Sequence, residues 1–339
     1  MKKRKLLYIG NNLRGKNTNV TTIETLSSHL QDIGYDVVTS SAKKNKFLRL
    51  IDMLSSVIRY GNKVSYVLID TYSTQNFYYA VAVANLCRLF KTQYIPILHG
   101  GNLPSRLRNS KAASYKLFTG AFTNVAPSKY LQHEFEIEGY RNITFIPNTI
   151  ELSAYPFKER IIIRPKLFWV RSFAEIYNPM LALKLVKHLS VKVPEIELCM
   201  VGPDKDGSLQ MCKQYAKEHG LRVNFPGKLT KQEWRDLSQG YDVFINTTNF
   251  DNTPVSVIEA MALGLPVIST NVGGMPYLVE NEVDGKLVPP NDVEHMAEAI
   301  VELLNNPQKA LSLAQNARGK VGSFDWEKVK LDWGELLKE

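Results

Sequence analysis

Residues 251–270 read DNTPVSVIEAMALGLPVIST, a polar loop, a helix start, an acidic residue inside the helix and a buried strand, in that order. Thr253 suits an N-cap, and Pro254 suits the first helical position, where its missing N–H costs nothing. The amides of Val255 and Ser256 are then free donors at the positive end of a helix, a ready place for a phosphate. Asp251 and Glu259 lie eight positions apart. Glu259 falls about a turn and a half further in, within reach of a sugar hydroxyl beside that phosphate. The layout suits a nucleotide diphosphate.

Outward from this segment, short apolar runs alternate with longer amphipathic stretches, the pattern of βαβ units and parallel sheets. Strands are expected at Lys5–Gly10, Asp36–Ser40, Tyr66–Asp70, Gln93–Leu98, Phe122–Ala126 and Ile143–Ile146, then at Lys166–Val170, Ile196–Val201, Arg222–Phe225, Asp242–Asn246, Pro266–Thr270 and Gly285–Val288. Helical periodicity covers Val20–Ile33, Phe47–Arg59, Pro179–Leu189, Leu209–His219, Val255–Leu263 and Val293–Asn305. Two similar α/β domains follow, residues 1–155 and 160–322. The boundary falls in NTIELSAYPFKERIIIRP (Asn148–Pro165), where turn residues and two prolines precede a new strand. The tail, residues 324–339, reads as a short amphipathic helix packing back across the domain junction. Two open α/β domains that face each other leave a cleft at the carboxyl ends of their strands, where ligands bind in such sheets.

A chain of 339 residues, 44% apolar and 22% charged, is comfortable for two such domains. It contains no apolar run long enough for a transmembrane helix. MKKRKLLYIG reads as a first buried strand rather than a signal peptide. Three scattered cysteines, Cys87, Cys199 and Cys212, point to a reduced, cytoplasmic protein without a disulfide framework. The charge is unevenly divided. Residues 1–150 carry 20 Lys and Arg against 8 Asp and Glu, a net +12, while residues 151–339 carry 22 against 25, a net −3. Either the basic half is a solubilising surface, or it meets an anionic partner such as a membrane surface, a lipid diphosphate or an acidic glycan. Nucleic acid is set aside, because no recognition helix, RNP-like or zinc motif accompanies the charge.

Five further stretches bear on function. The first strand runs into GNNLRGKNTNV, where Gly15 lets backbone approach a phosphate or sugar, or else marks a plain turn. His99 ends the apolar strand YIPIL and leads into Gly100-Gly101, a place for a structural or a ligand-contacting histidine. Asp204-Lys205-Asp206 mimics a metal motif but follows a strand and Gly202-Pro203, which favours a surface turn. Lys43–Tyr60, KKNKFLRLIDMLSSVIRY, has basic ends and an apolar helical stripe, for packing on the sheet or for a membrane surface. Arg106, Arg108, Lys111 and Lys116 follow the His99 loop and suit either an anionic acceptor or a solvated face. The six histidines lack metal-ligand spacing, so no metal is expected.

With these pieces assembled, the chain resembles the family 4 glycosyltransferases. VAPSKYL (Val125–Leu131), IPNTIE (Ile146–Glu151), FDNTPVSVIEAMALGLPVIST (Phe250–Thr270), NVGGMPYLVENEVDGKLVPPND (Asn271–Asp292) and FDWEKV (Phe324–Val329) match family blocks in order over nearly the whole length. The resemblance implies the GT-B fold, two Rossmann-like parallel-sheet domains facing a central cleft. It implies a retaining, metal-independent transfer of a hexosyl unit from a nucleotide sugar, a UDP-sugar, to a glycan or lipid-linked acceptor. The setting it implies is cell-surface polysaccharide synthesis, on the cytoplasmic side, at the inner face of the plasma membrane. No cofactor enters apart from the nucleotide sugar itself. Glu259 then bonds the ribose, Asp251 (a glutamate in most of the family) contacts the transferred sugar, and His99 contacts the donor sugar. Thr253, Pro254, Val255 and Ser256, with Arg171 and the Gly15 loop, hold the diphosphate. One loop departs from the pattern: in VRSFAEIYNP, Arg171 stands at a glycine position, Ser172 at an arginine position and Tyr177 at a lysine position. A non-catalytic homologue that binds a nucleotide sugar or a membrane partner, and a GT-B nucleotide-sugar 2-epimerase, are the alternatives.

Overall fold

The computed structural model describes residues 4–12 and 21–338. The chain divides into two compact units, Met1–Pro147 together with Glu327–Glu339, and Asn148–Trp326. In the first, β1 (Lys5–Ile9), β2 (Asp36–Ser40), β3 (Tyr66–Tyr72), β4 (Tyr94–His99), β5 (Asn124–Ala126) and β6 (Ile143–Phe145) make one sheet in the order β2-β1-β3-β4-β5-β6. In the second, β7 (Lys166–Val170), β8 (Glu197–Val201), β9 (Val223–Gly227), β10 (Val243–Asn246), β11 (Val267–Thr270) and β12 (Lys286–Val288) take the order β12-β11-β10-β7-β8-β9. Every pairing between these strands is parallel.

Parallel strands need crossovers, and the crossover helices cover both sheet faces. That is why KLLYI and VFIN are continuous rather than alternating, with nearly every residue buried. The strand order reverses once in each sheet, between β1 and β3 and between β7 and β10. Such switch points leave a crevice at the carboxyl ends of the strands, because the connections leave in opposite directions there.

All twelve expected strands are present, most within one or two residues of their expected ends. The six expected helices are joined by others, including Asn76–Leu89, Leu103–Asn109, Lys111–Thr119, Lys129–Ile137, Lys231–Ser238 and Pro307–Val321. NFYYAVAVANLCRL shows why these were harder to read. It buries Phe77, Ala80, Val83, Ala84 and Cys87 but has few polar residues elsewhere to set a clear 3.6-residue rhythm.

Where the second unit begins and ends, the chain runs side by side. Ile150 donates to Phe324 O (3.0 Å) and accepts from Trp326 N (3.2 Å). The helix Trp326–Leu336 groups with the first unit, and Arg4 Nη1 donates to the Leu337 (2.7 Å) and Lys338 (2.6 Å) carbonyls just past its end.

Gly274 fixes how the 251–270 segment is held. Its amide donates to Asp251 O (2.8 Å), and a Cβ added there would fall onto the Asn252 carbonyl oxygen. Gly274→Ala therefore forces the loop away. A cost of about 1–3 kcal/mol is expected for such overpacking, read by calorimetry as a lower melting temperature of the second unit.

Candidate functional site

Two loops leave the switch point of the second sheet. One follows β7 and carries Arg171, Ser172 and Tyr177; the other follows β10 and carries residues 247–254. They are laced together by hydrogen bonds. Thr247 Oγ1 donates to Tyr177 O (3.0 Å), Thr248 Oγ1 to Ile176 O (3.3 Å) and Asn249 N to Ile176 O (2.8 Å). Thr247 Oγ1 also accepts from the buried Trp169 Nε1 (3.0 Å), and Thr270 Oγ1 on β11 donates to Thr248 O (2.6 Å). Polar side chains are buried here because each has a backbone partner in the facing loop.

The helix after this loop spans Val255–Ala262, one residue later at its start than the cap expectation required. Pro254 has φ −69° and ψ 117° and is itself the N-cap, without a side-chain capping bond. Proline's fixed φ suits both positions, but the extended ψ keeps Pro254 outside the helix, so Thr253 is not the cap. The first intrahelical bonds run from Val257 and Ile258 to Pro254 O (3.0 and 3.3 Å). The Val255 and Ser256 amides therefore stand ahead of the hydrogen-bond ladder. The Ser256 hydroxyl is buried and lacks a hydrogen-bond partner.

Arg171 meets the loop that leads into this helix. Its guanidinium pairs with the Asp251 carboxylate and stacks on the Tyr177 ring, 4.1 Å from the centroid. Its Nε is buried without a hydrogen-bond partner. Burial pulls the Arg171 pKa down while the Tyr177 side chain works the other way, and an arginine so placed stays cationic. Glu259 is buried, and its Oε1 accepts from Tyr155 Oη (2.5 Å) and Lys231 Nζ (2.6 Å). Burial and the neighbouring Glu259 carboxylate push the Tyr155 pKa upward, so its hydroxyl keeps the proton it donates. The structure thus brings Arg171, Tyr177, Asp251, Ser256 and Glu259 onto the loops and helix of one sheet edge.

In the first unit, His99 ends β4 and Tyr72 ends β3 beside it, the two rings stacked 4.9 Å apart. His99 Nε2 lies 2.8 Å from Asp70 Oδ1, and the Tyr8 hydroxyl donates to the same oxygen (2.9 Å). All three are buried. Burial, then Asp70, pushes the Tyr8 pKa well upward, so Asp70 is the acceptor of that bond. With the Asp70 carboxylate as acceptor, His99 Nε2 is the donor of the other bond to that oxygen. Gly10 permits this cluster, since a Cβ there would strike the Asp70 carboxylate. A pocket at the β1/β3 switch point is lined by Gly10, Asn11, Met53, Asp70, Tyr72 and Tyr79, among others.

The basic residues beyond His99 are differently placed. Arg106 Nε donates to Ser73 O (2.6 Å), with the guanidinium over Phe77 and Tyr78. Arg108 pairs with Glu134 and Glu138, and Lys111 and Lys116 are exposed. Gly15 lies outside the described residues. Asp204 and Asp206 spend their carboxylates on the turn, accepting from the Gly207 (3.0 Å), Ser208 (3.1 Å) and Glu175 (2.8 Å) amides. Among the described residues, no three His, Cys, Asp or Glu side chains cluster as metal ligands would.

Residues 157–320 match the family model of the glycosyl transferases group 1. This segment is a group 1 glycosyltransferase domain. Sulfoquinovosyl transferase SQD2 of Arabidopsis thaliana is 30% identical over 151 residues, 43% of this chain and 28% of that protein. The UDP-Gal:alpha-D-GlcNAc-diphosphoundecaprenol alpha-1,3-galactosyltransferase of Escherichia coli is 26% identical over 197 residues, 53% and 49% of the two lengths. The chain thus spans less than half the length of these curated relatives. Among solved structures, Anabaena Alr3699/HepE in complex with UDP superposes with a TM-score of 0.79 at 18% identity, over 98% of this chain and 99% of that one. The fold is GT-B, built on two six-stranded parallel sheets.

In this group 1 domain the departures in VRSFAEIYNP have a structural outcome. The cation at Arg171 reaches Asp251 in the loop ahead of the helix, and Tyr177 is its stacking platform. Tyr155 and Lys231 were missed by sequence reasoning. They come 104 and 28 residues before Glu259, in stretches without a motif, and only the fold delivers them. Asp70, Tyr8 and Tyr72 were missed for a similar reason: each sits in or at the end of an apolar strand and looks like core. Asp70→Asn removes the charged acceptor shared by Tyr8 and His99. We expect it to cost about 1.5–3 kcal/mol of stability, read as a lower midpoint of denaturant unfolding.

Proposed function

We propose that the protein is a retaining, metal-independent hexosyltransferase that takes its sugar from a nucleotide sugar, a UDP-sugar, and passes it to a glycan or lipid-linked acceptor in cell-surface polysaccharide synthesis. The observation that carries this reading is the start of the Val255–Ala262 helix. There two leading amides and a buried hydroxyl without a partner follow a loop whose Asp251 pairs with a stacked arginine of unsatisfied Nε, within a glycosyltransferase domain. Uncapped amides and a cation are what a diphosphate requires. The UDP bound to the similar Anabaena protein supports the uridine nucleotide.

In this reading the diphosphate takes the Val255 and Ser256 amides, the Ser256 hydroxyl and Arg171, and Glu259, held by Tyr155 and Lys231, accepts from the ribose. A diphosphate arriving at the helix competes with Asp251 for the Arg171 guanidinium. The carboxylate so released turns to the sugar hydroxyls. The acceptor oxygen bonds to the anomeric carbon on the face the leaving group departs from. As that carbon–oxygen bond to the diphosphate breaks, the acceptor's proton passes to the departing phosphate oxygen. Positive dipoles and Arg171 stabilise the developing charge, the task a metal performs elsewhere. The basic first half, net +12 over residues 1–150, suits contact with an anionic membrane on the cytoplasmic side.

Thermal-shift titration with UDP, GDP and ADP tests the donor class. A tight ligand stabilises the fold as ln(1 + [L]/Kd), so UDP is expected to stand out, with or without EDTA. Arg171→Ala should weaken UDP binding by about 1.5–3 kcal/mol, the worth of a charge-assisted hydrogen bond. Equal shifts from all three nucleotides, or an Arg171→Ala protein that binds UDP unchanged, would overturn the reading. UDP binding with neither donor hydrolysis nor transfer across acceptors would mark a non-catalytic homologue instead. The anomeric configuration of the product, by NMR, decides retention.

A further inference from the structure

The helix Lys46–Tyr60 packs only one side against its unit, through Arg49, Met53 and Val57. Its other side carries large apolar groups in the open: Phe47 is 70% exposed, Leu48 53%, Ile51 48% and Ile58 64%. Phe47, Ile51 and Ile58 follow one another at spacings of four and seven, one face of a helix. Exposed apolar residues scattered singly are ordinary, but a row on one ordered helix is not. The turn that carries Phe47 is well fixed, since Asn45 Oδ1 accepts from the Phe47 (2.9 Å) and Leu48 (3.2 Å) amides.

A basic frame surrounds the row. Lys43, Lys44 and Lys46 stand exposed before it, and Arg59 and Lys63 after it. Arg49 clamps the leading lysines in place, with Nε on Lys43 O (2.8 Å) and Nη2 on Lys44 O (3.0 Å). The helix has no acidic residue in its first turn. Lysines gathered at a positive helix end oppose the macrodipole, and Lys46 Nζ donates to a neutral group, Gln75 Oε1 (3.2 Å), so an anionic external partner is favoured at this end. A second copy of this chain would bring its own lysines against these, which disfavours self-association through this face.

We propose that this face is the membrane-docking surface of the protein, seated on an anionic bilayer with Phe47, Ile51 and Ile58 among the acyl chains and the lysines at the headgroups. This deepens the membrane contact proposed above and rests on it. The same helix turns Met53 into the pocket at the β1/β3 switch point, beside Asp70 and Tyr72. One helix therefore joins the lipid surface to that pocket, which favours an acceptor carried on a lipid over a free glycan.

Cosedimentation with vesicles tests the surface directly. The protein is expected to pellet with phosphatidylcholine vesicles containing phosphatidylglycerol, to stay in solution with phosphatidylcholine alone, and to be released by salt. The variant carrying Phe47→Ser, Ile51→Ser and Ile58→Ser should bind the anionic vesicles at least about tenfold more weakly, because apolar insertion and charge attraction act together. The three side chains face solvent, and an unchanged melting temperature and UDP-induced shift in the variant confirm its fold. Wild-type protein that ignores anionic vesicles, or a variant that binds them equally, overturns the proposal. So does self-association in the ultracentrifuge that the variant abolishes, which would assign the face to a second copy. Loss of the UDP response in both proteins would count against the donor reading and leave the vesicle result standing.

Discussion

The lacing of the loops after β7 and β10 is the constraint on which the candidate site depends. Neither loop has a regular hydrogen-bond ladder of its own, and Thr247 and Thr248 are buried, where unpaired polar groups cost free energy. Thr247, Thr248 and Asn249 resolve this by bonding across to the carbonyls of Ile176 and Tyr177. Once those bonds are made, the Tyr177 ring has its place, and the Arg171 guanidinium is held over it. On the far side of the same loop, Gly274 accepts the close approach of Asn252. The Val255–Ala262 helix therefore starts from a loop fixed on both flanks.

The first unit follows the opposite strategy at its own switch point. Instead of lacing loops, it buries one carboxylate, Asp70, and satisfies it with two donors from the neighbouring strands β1 and β4. A buried carboxylate without partners would protonate or unfold its surroundings. With Tyr8 and His99 bound to the same oxygen it instead fixes the orientation of the histidine ring. The stacked Tyr72 ring restricts that orientation further. The side chains that surround His99 thus account for a histidine at the end of an apolar strand, a position where sequence alone left a structural and a functional role equally open.

How far the sequence could be read follows from the range of the interactions involved. Strand positions were legible because a buried parallel strand is a local apolar run between turn signals, as KLFWV and VIST show. The paired acids and the helix start were legible because they are eight residues apart on one chain segment. The exact capping residue was not, since proline satisfies either of two adjacent positions until its ψ is known. Tyr155, Lys231, Asp70 and Tyr8 were out of reach. Their meaning arises only from contacts across sheets and crossovers, and no local pattern distinguishes a tyrosine that bonds a carboxylate from one that merely fills the core.

The VRSFAEIYNP loop shows why position in the fold matters more than position in an alignment. Read by column, the loop has exchanged two cations for a serine and a tyrosine, and the one remaining arginine occupies a glycine's place. Read in space, that arginine reaches the loop that leads into the Val255–Ala262 helix, where one partner is the Asp251 carboxylate and another is an aromatic face. A guanidinium on a ring keeps its charge and loses less freedom on binding than a lysine on a flexible stem. The same place therefore retains one well-directed cation in exchange for two mobile ones. The departure from the expected residues thus leaves one cation where the family has two, and that one is held between a carboxylate and an aromatic face.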